Sequence, residues 1–268
     1  MENFKLSNSK MRAWETMCPV EFKAVHIDKT VEWATTEPMQ WGNLFETLVI
    51  GGGINGAFDI DTVEGGAKMK KSVFYERVQE QSFKCKAWLK SLGGKIKSRQ
   101  EYISVQVEDS SGQLIPIEGT LDIVYFMKDG RMIVIDLKFT TDTDNDFGPY
   151  AWKDPSRLDM SQIIHYALLY KIKYKTDMPG TEYWVFDSKK DLKSKLIKVG
   201  AELPNGTRVI TDYSVFMHIE RLSQVYNEIS LAIAMDDWTP KNTYANCSKC
   251  KAKCKFERVI PEYDIVEL

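Results

Sequence analysis

Apolar residues at helical spacing open the chain: Met11, Trp14 and Met17 fall on one face, with Ser7 or Ser9 placed to cap the turn. Cys18-Pro19 ends it, because the residue before a proline is pushed out of the helical region. The pattern predicts a second helix over 41–50, stopped by Gly51, Gly52 and Gly53, and then a glycine-rich loop to about Ala67. A long, charged helix follows over 68–92, closed by Gly93-Gly94. The texture then changes. Segments 102–107, 115–127 and 131–139 are rich in β-branched and aromatic residues, and Asp129-Gly130 marks a hairpin turn between the last two. A polar loop over 140–154 leads to a helix over 158–174, where Ile163, Ile164, Leu168 and Leu169 recur at helical spacing. A strand over 183–186, an irregular charged stretch over 188–212 with room for a hairpin, and an amphipathic helix over 215–235 complete the pattern.

Helices, then strands, then a helix, a strand and a final helix predict an α/β fold with a mixed sheet. At 268 residues the chain can hold one large core. We read 1–268 as a single domain with its core over about 40–235, and the ends 1–30 and 238–268 as a cysteine-bearing subdomain. With 43% hydrophobic and 28% charged residues, neither a disordered nor a fibrous chain is expected. A net charge of -2 excludes a uniformly basic coat for nucleic acid but leaves room for a local basic patch. No apolar run approaches the roughly 18 residues of a membrane span. The opening residues lack the apolar centre of a secretory signal, so the expected compartment is the cytoplasm, with no membrane partner.

The hairpin carries the chemistry. It reads Gly119-Thr120-Leu121-Asp122, then, past the turn, Ile135-Asp136-Leu137-Lys138. Asp136 and Lys138 are two apart and share one face of a strand, and Asp122 on the neighbouring strand is near enough to join them. An aspartate and a lysine inside an apolar run are costly unless paired or metal-bound. Two converging carboxylates suit a hard cation such as Mg²⁺ or Mn²⁺, and a lysine beside them can orient a water and neutralise a phosphate. A buried Asp–Lys ion pair is the plainer alternative.

G-x-x-D followed by D-x-K across a hairpin resembles the core pattern of the PD-(D/E)xK nucleases. Gln162 and Tyr166 share a helical face and match the Q-x-x-x-Y motif of the RecB-like branch. The stretch from Leu6-Ser7-Asn8-Ser9 through Trp14 to Cys18-Pro19-Val20-Glu21-Phe22 looks like the opening of RecB-type domains. The likeness runs from Leu6 to Cys254. It implies a restriction-endonuclease-like core and a Mg²⁺- or Mn²⁺-dependent deoxyribonuclease. In that reading Asp122, Asp136 and the Leu137 carbonyl ligate the metal, Lys138 helps to activate a water, Gln162 contacts the metal-site water or the DNA backbone, and Tyr166 lies near the phosphate. RecB-like domains usually carry G-x-x-H on an early helix, but Gly42-Asn43-Leu44-Phe45-Glu46 has phenylalanine there. Glu46 matches the G-x-x-x-E of phage recombination exonucleases of the YqaJ type and becomes the third metal carboxylate. His26, His165 and His218 have no paired spacing and are not assigned as ligands.

Of five cysteines, Cys247, Cys250 and Cys254 form C-x₂-C-x₃-C near the C-terminus, a spacing that lets three thiolates converge on one metal. By resemblance to iron–sulfur nucleases of the AddB, CRISPR-associated and phage type, Cys18 supplies the fourth ligand of a 4Fe–4S cluster that ties the chain ends. The short final gap departs from that pattern and leaves a Cys₄ Zn²⁺ site open. Cys85 is read as a packed or free thiol.

Lysines near the cysteines and along 68–97, with Trp41, Phe147, Tyr150 and Trp152 placed on or beside loops, offer a phosphate track and stacking surfaces for single-stranded or end-bearing DNA. Recombination or CRISPR adaptation proteins are the expected partners, and a homo-oligomer stays open. The competing readings are a non-catalytic DNA-binding or assembly subunit on the same fold, and a zinc-binding interaction protein.

Overall fold

The structure is a computed structural model that describes residues 4–31, 36–51, 57–63, 65–146, 150–154, 157–178, 180–199 and 210–239. Its centre is a five-stranded sheet in the order β1-β2-β3-β4-β5. β1 (Lys95–Glu108), β2 (Leu114–Phe126) and β3 (Met132–Thr140) form an antiparallel meander. β4 (Gly180–Asp187) runs parallel to β3, and β5 (Ser194–Val199) returns antiparallel along β4. A parallel pair needs a crossover, and α6 (Ser161–Tyr174) supplies it. The sheet is therefore mixed, as the sequence predicts. β3 is central because Ile133, Val134, Ile135 and Leu137 are apolar on both faces.

Helices cover both faces. On one, Met11 and Trp14 of α1 (Asn8–Thr16), Leu169 of α6 and Leu222 of α7 (Asp212–Met235) pack with Ile117, Val134 and Tyr183. On the other, Phe45 of α3 (Glu37–Ile50) and Val78 and Cys85 of α5 (Val73–Ser91) pack with Ile135, Trp184 and Phe186. The N-terminal segment belongs to the main core. Leu6 pairs with Ile117 in a parallel bridge, and Phe22 is fully buried in the α1 and α6 layer. Trp238 closes the same layer, edge-on to Trp14 at 6.3 Å.

Several boundaries differ from the sequence reading for local reasons. Ser7, not Ser9, caps α1, its hydroxyl accepting from the Lys10 N–H at 3.2 Å. The helix expected over 68–92 is two helices, α4 (Gly66–Lys70) and α5. Ser72 divides them by accepting the Phe74 N–H at 3.2 Å. β1 begins at Lys95, earlier than predicted, because Ile96 is the one apolar residue among its first seven and a polar run does not read as a strand. α2 (Pro19–Phe22), which runs into a π-turn over Lys23–Ile27, was not expected. Among the described residues no helix is long and apolar enough to cross a membrane.

Candidate active site

The β2–β3 ladder sets the site. Pairing runs from Phe126↔Met132 to Ile123↔Ile135 and stops, so the strands part where Asp122 would face Asp136. The Leu137 N–H turns to the Asp122 side chain instead, donating to Oδ2 at 2.8 Å. Asp136 and Lys138 share a face as predicted, with Lys138 Nζ 2.6 Å from Asp136 Oδ2. Asp136 is fully buried. Its Oδ1 accepts from Gln162 Nε2 at 3.3 Å, and the same amide donates to the Tyr166 hydroxyl at 2.8 Å. Its Oδ2 has the ion pair but no directed hydrogen bond.

Gly119 explains how α6 comes close enough. A Cβ there would stand 2.6 Å from Leu169 Cδ1 and 3.5 Å from His165 Cδ2. With no side chain between them, α6 lies against β2 and brings Gln162 and Tyr166 to the carboxylates.

Burial and like charge govern the protons. Burial raises the Asp122 carboxyl well above the usual carboxylate range; Asp136 and Glu46 add to this, while Lys138 and the Leu137 N–H oppose it. Glu46 is raised by burial and by Asp136, against Lys138. Burial disfavours the Lys138 ammonium, but Asp136 and Asp122 outweigh it and hold the group above its ordinary range. Tyr166 is raised well above the usual phenol range by burial and by both aspartates, so its hydroxyl keeps its proton.

These shifts have a stability consequence. A carboxyl whose folded pKa lies above its unfolded value contributes stability at low pH and loses it as pH rises through the folded pKa. In chelator at pH 7–8, Asp122→Asn should therefore melt higher than wild type, with ~1 kcal/mol corresponding to ~2–4 °C in a chain of this size. Added Mn²⁺ should raise the wild-type melting temperature and leave the variant unmoved. A variant that melts lower in chelator would show that Asp122 is not held against its charge.

Asp122, Lys138, Gln162 and Tyr166 line a cleft of about 760 Å³ that Glu46 enters from α3, while Asp136, fully buried, touches it only through Lys138 and Gln162. Phe45, beside Glu46, stacks on Phe139 at 5.2 Å and is core. Among the described residues no group of three or more His, Cys, Asp or Glu side chains stands ready to hold a metal. Asp122, Asp136 and Glu46 do lie near enough for their charges to act on one another, with Lys138 opposing that repulsion. The donor chemistry fits a hard cation: the Asp122 and Asp136 carboxylates converge at a buried point where the Lys138 ammonium now stands as the balancing charge.

Other expected residues fall elsewhere. Trp41 is a buried helix residue tilted on Phe74, and Trp152 is buried against Tyr183, so neither is a stacking surface for bases. Tyr150 is exposed and lines the cleft. Cys18 is buried just before Pro19, while Cys247, Cys250 and Cys254, like Phe147, lie outside the described residues. Cys85 packs in the α3 and α5 core, and burial pushes its thiol up to about 12, leaving it inert at neutral pH.

The sequence reading missed Gln100 and the histidine pair. Gln100 holds a left-handed φ of 46° opposite Asp122 and brings Nε2 to 3.5 Å from Asp122 Oδ1. A polar residue in a polar run gives no sign of that. His165 Nε2 lies 2.9 Å from the Glu118 carbonyl, and its Nδ1 3.1 Å from His218 Nε2. The carbonyl can accept only, so His165 Nε2 carries the proton and Nδ1 accepts from His218. Burial lowers His165 to about 4 and, with help from His165, His218 to about 3. A lowered histidine contributes stability above its unfolded pKa and loses it as pH falls toward the folded one. The protein should lose stability between about pH 6.5 and 4, by ~1.4 kcal/mol per pH unit for each proton bound on unfolding. His218→Gln can still donate to His165 and should flatten that limb; an unchanged acid profile would assign the sensitivity to other groups.

A family model described as the PD-(D/E)XK nuclease superfamily matches residues 5–255. The crystal structure of a candidate exonuclease from Eubacterium rectale is similar at a TM-score of 0.55 and 11% identity, over 95% of this chain and 90% of that one. That likeness shows the fold. The solved structure of SSO0001 overlaps at a TM-score of 0.33 and 12% identity, over 88% of this chain and 94% of that one, which is too loose to carry an argument. No curated protein matches the chain significantly.

Proposed function

The chain belongs to the PD-(D/E)XK nuclease superfamily, and on that premise we propose that it is a metal-dependent deoxyribonuclease of the RecB-like branch, acting on single-stranded DNA or DNA ends. The observation that carries this reading is the fork at Asp122 and Asp136. There the fully buried Asp136, its Oδ2 held by the Lys138 ammonium at 2.6 Å, lies beside a second carboxylate that burial and like charge hold against ionisation. Asp122, Asp136 and the Leu137 carbonyl would hold Mg²⁺ or Mn²⁺, with Glu46 the further carboxylate in the cleft. When bound, the cation supplies Lewis-acid stabilisation of charge on the phosphate.

The chain's own groups do the rest. Lys138 is held as an ammonium, so in the metal-free site it serves as a charge partner for phosphate and an anchor for water rather than as a base. Gln162 fixes Asp136 and ties it to Tyr166. Tyr166, kept protonated, presents a hydroxyl at the cleft. Water attacks phosphorus and releases a proton to solvent, the P–O3′ bond breaks, and the leaving oxygen takes up a proton from solvent. The intact Asp122, Asp136 and Lys138 favour this over a non-catalytic subunit.

The cysteine spacing extends the proposal to a 4Fe–4S cluster on Cys18, Cys247, Cys250 and Cys254; the short last gap makes Zn²⁺ the alternative, and iron and zinc analysis of anaerobically purified protein separates them. A digestion time course on end-labelled single- and double-stranded DNA tests the substrate. Release of short products from ends supports the reading, and internal cuts in closed circular duplex contradict the end preference.

A further inference from the structure

Two residues of β1 carry the cleft away from the carboxylates. Gln100 lines it opposite Asp122, with Nε2 3.5 Å from Asp122 Oδ1, and Tyr102 lines it two residues further on. Two residues of a strand span about 7 Å, so the tyrosine stands close to the reacting groups. Tyr102 is 46% exposed, and its hydroxyl donates to Glu118 Oε2 at 2.6 Å. Tyr102 pairs with Thr120 across the β1–β2 ladder, which makes Glu118 its diagonal neighbour. The ring is thus fixed at both ends, by its own strand and by the next. The Glu118 hydrogen bond, with burial, raises the phenol above its ordinary value, so the hydroxyl stays a donor. Glu118 is in turn balanced by Lys10 Nζ at 2.6 Å. The ring therefore offers a fixed apolar face in surroundings of little net charge, which suits a base better than a phosphate. Tyr150, the other exposed tyrosine of the cleft with an aromatic neighbour, is already stacked on Trp152 at 5.5 Å, with Arg12 5.9 Å from its centroid. Among the described residues no ring or cation stacks on Tyr102. Thr120 beside it is small and lines the same cleft, which leaves room against the ring.

We propose that Tyr102 is a specificity-determining residue whose ring stacks on one base of an unpaired strand next to the scissile phosphate. This rests on the nuclease reading of the same cleft and names the form of its substrate. Inside a duplex both faces of a base are covered by its neighbours, so a base reaches the ring only where the strand is single or its end has opened. Every base has a π-face, so the contact selects for strandedness and not for sequence. The backbone lies at Asp122 and Lys138 while the base turns toward β1.

The test is steady-state cleavage in Mn²⁺ by wild type, Tyr102→Leu and Tyr102→Phe. The substrates are a single-stranded oligonucleotide, the same strand with an abasic residue at each position in turn, and the blunt duplex. In wild type, one abasic position beside the cut should lower kcat/KM about tenfold, as expected for losing one stacked base. Tyr102→Leu should lose about tenfold on the intact single strand, chiefly through KM, and show no further loss at that position. It should also narrow the preference for single strand over duplex. Tyr102→Phe keeps the ring and should restore the sensitivity to the abasic position. Tyr102→Thr, with a residue that suits a strand, repeats the test should the leucine variant melt low. Wild-type efficiency on single strands in the leucine and threonine variants, or an abasic scan with no position coupled to Tyr102, overturns the assignment, while wild-type cleavage leaves the nuclease reading standing. A wild type that cleaves neither strand form overturns both.

Discussion

Asp136→Asn and Lys138→Met should each cleave a labelled oligonucleotide in Mn²⁺ about 10²–10³-fold more slowly than wild type, as expected when one group that stabilises transition-state charge is removed. Both proteins should stay folded. Asparagine matches the shape of Asp136 and keeps an acceptor for Gln162. Lys138 is 23% exposed and can turn its ammonium to water once its partner is gone. Replacing Lys138 leaves Asp136 without its ion pair, so that variant should lose more stability than Asp136→Asn, since a buried unpaired charge is the costlier state. Near-wild-type rates in either folded variant would remove the catalytic assignment.

The second large effect is expected far from any reacting group. Gly119→Val should lower the melting temperature and cut activity at least tenfold, although valine suits a strand. The reason is space: the first added carbon already meets Leu169 Cδ1 at 2.6 Å, and Leu169 is fully buried. Overpacking of this kind typically costs 1–3 kcal/mol. Because α6 must shift, Gln162 and Tyr166 move with it, and small displacements in a site are expensive in rate. Leu169→Ala in the same chain should restore part of both losses by opening room for the valine. If Gly119→Val matches wild type in stability and rate, the close packing of α6 on β2 does not position the site.

The paired carboxylates and the lysine were legible because their spacing is local. Asp136 and Lys138 share a face by the period of a strand, and the hairpin turn at Asp129-Gly130 brings Asp122 alongside. Gln162 and Tyr166 were legible by helical period, and their hydrogen bond bears out the shared face. What escaped depends on distance in sequence or on backbone departures. The parting of β2 from β3 just past Ile123 and Ile135, with Leu137 donating to Asp122, leaves no mark in residue type. The His165–His218 contact joins two helices, and neither histidine has a partner at helical spacing. The N-terminal segment read as a separate end because its cysteine drew attention to metal chemistry. Its apolar residues, Leu6, Met11, Trp14 and Phe22, instead fill the main core. Trp41 and Trp152 misled for a similar reason: aromatics at the edges of predicted elements are as fit for core packing as for stacking on bases.

The measurement that tests the central claim most directly is cleavage of end-labelled DNA by wild-type protein stripped of metal, then given Mg²⁺ or Mn²⁺, then returned to chelator, with Asp122→Asn alongside. The account predicts no cleavage in chelator, cleavage on adding either cation, loss again on chelation, and none at any step from the variant. Cleavage that persists in chelator, or that Asp122→Asn retains, would contradict a metal-dependent site built on the forked strands.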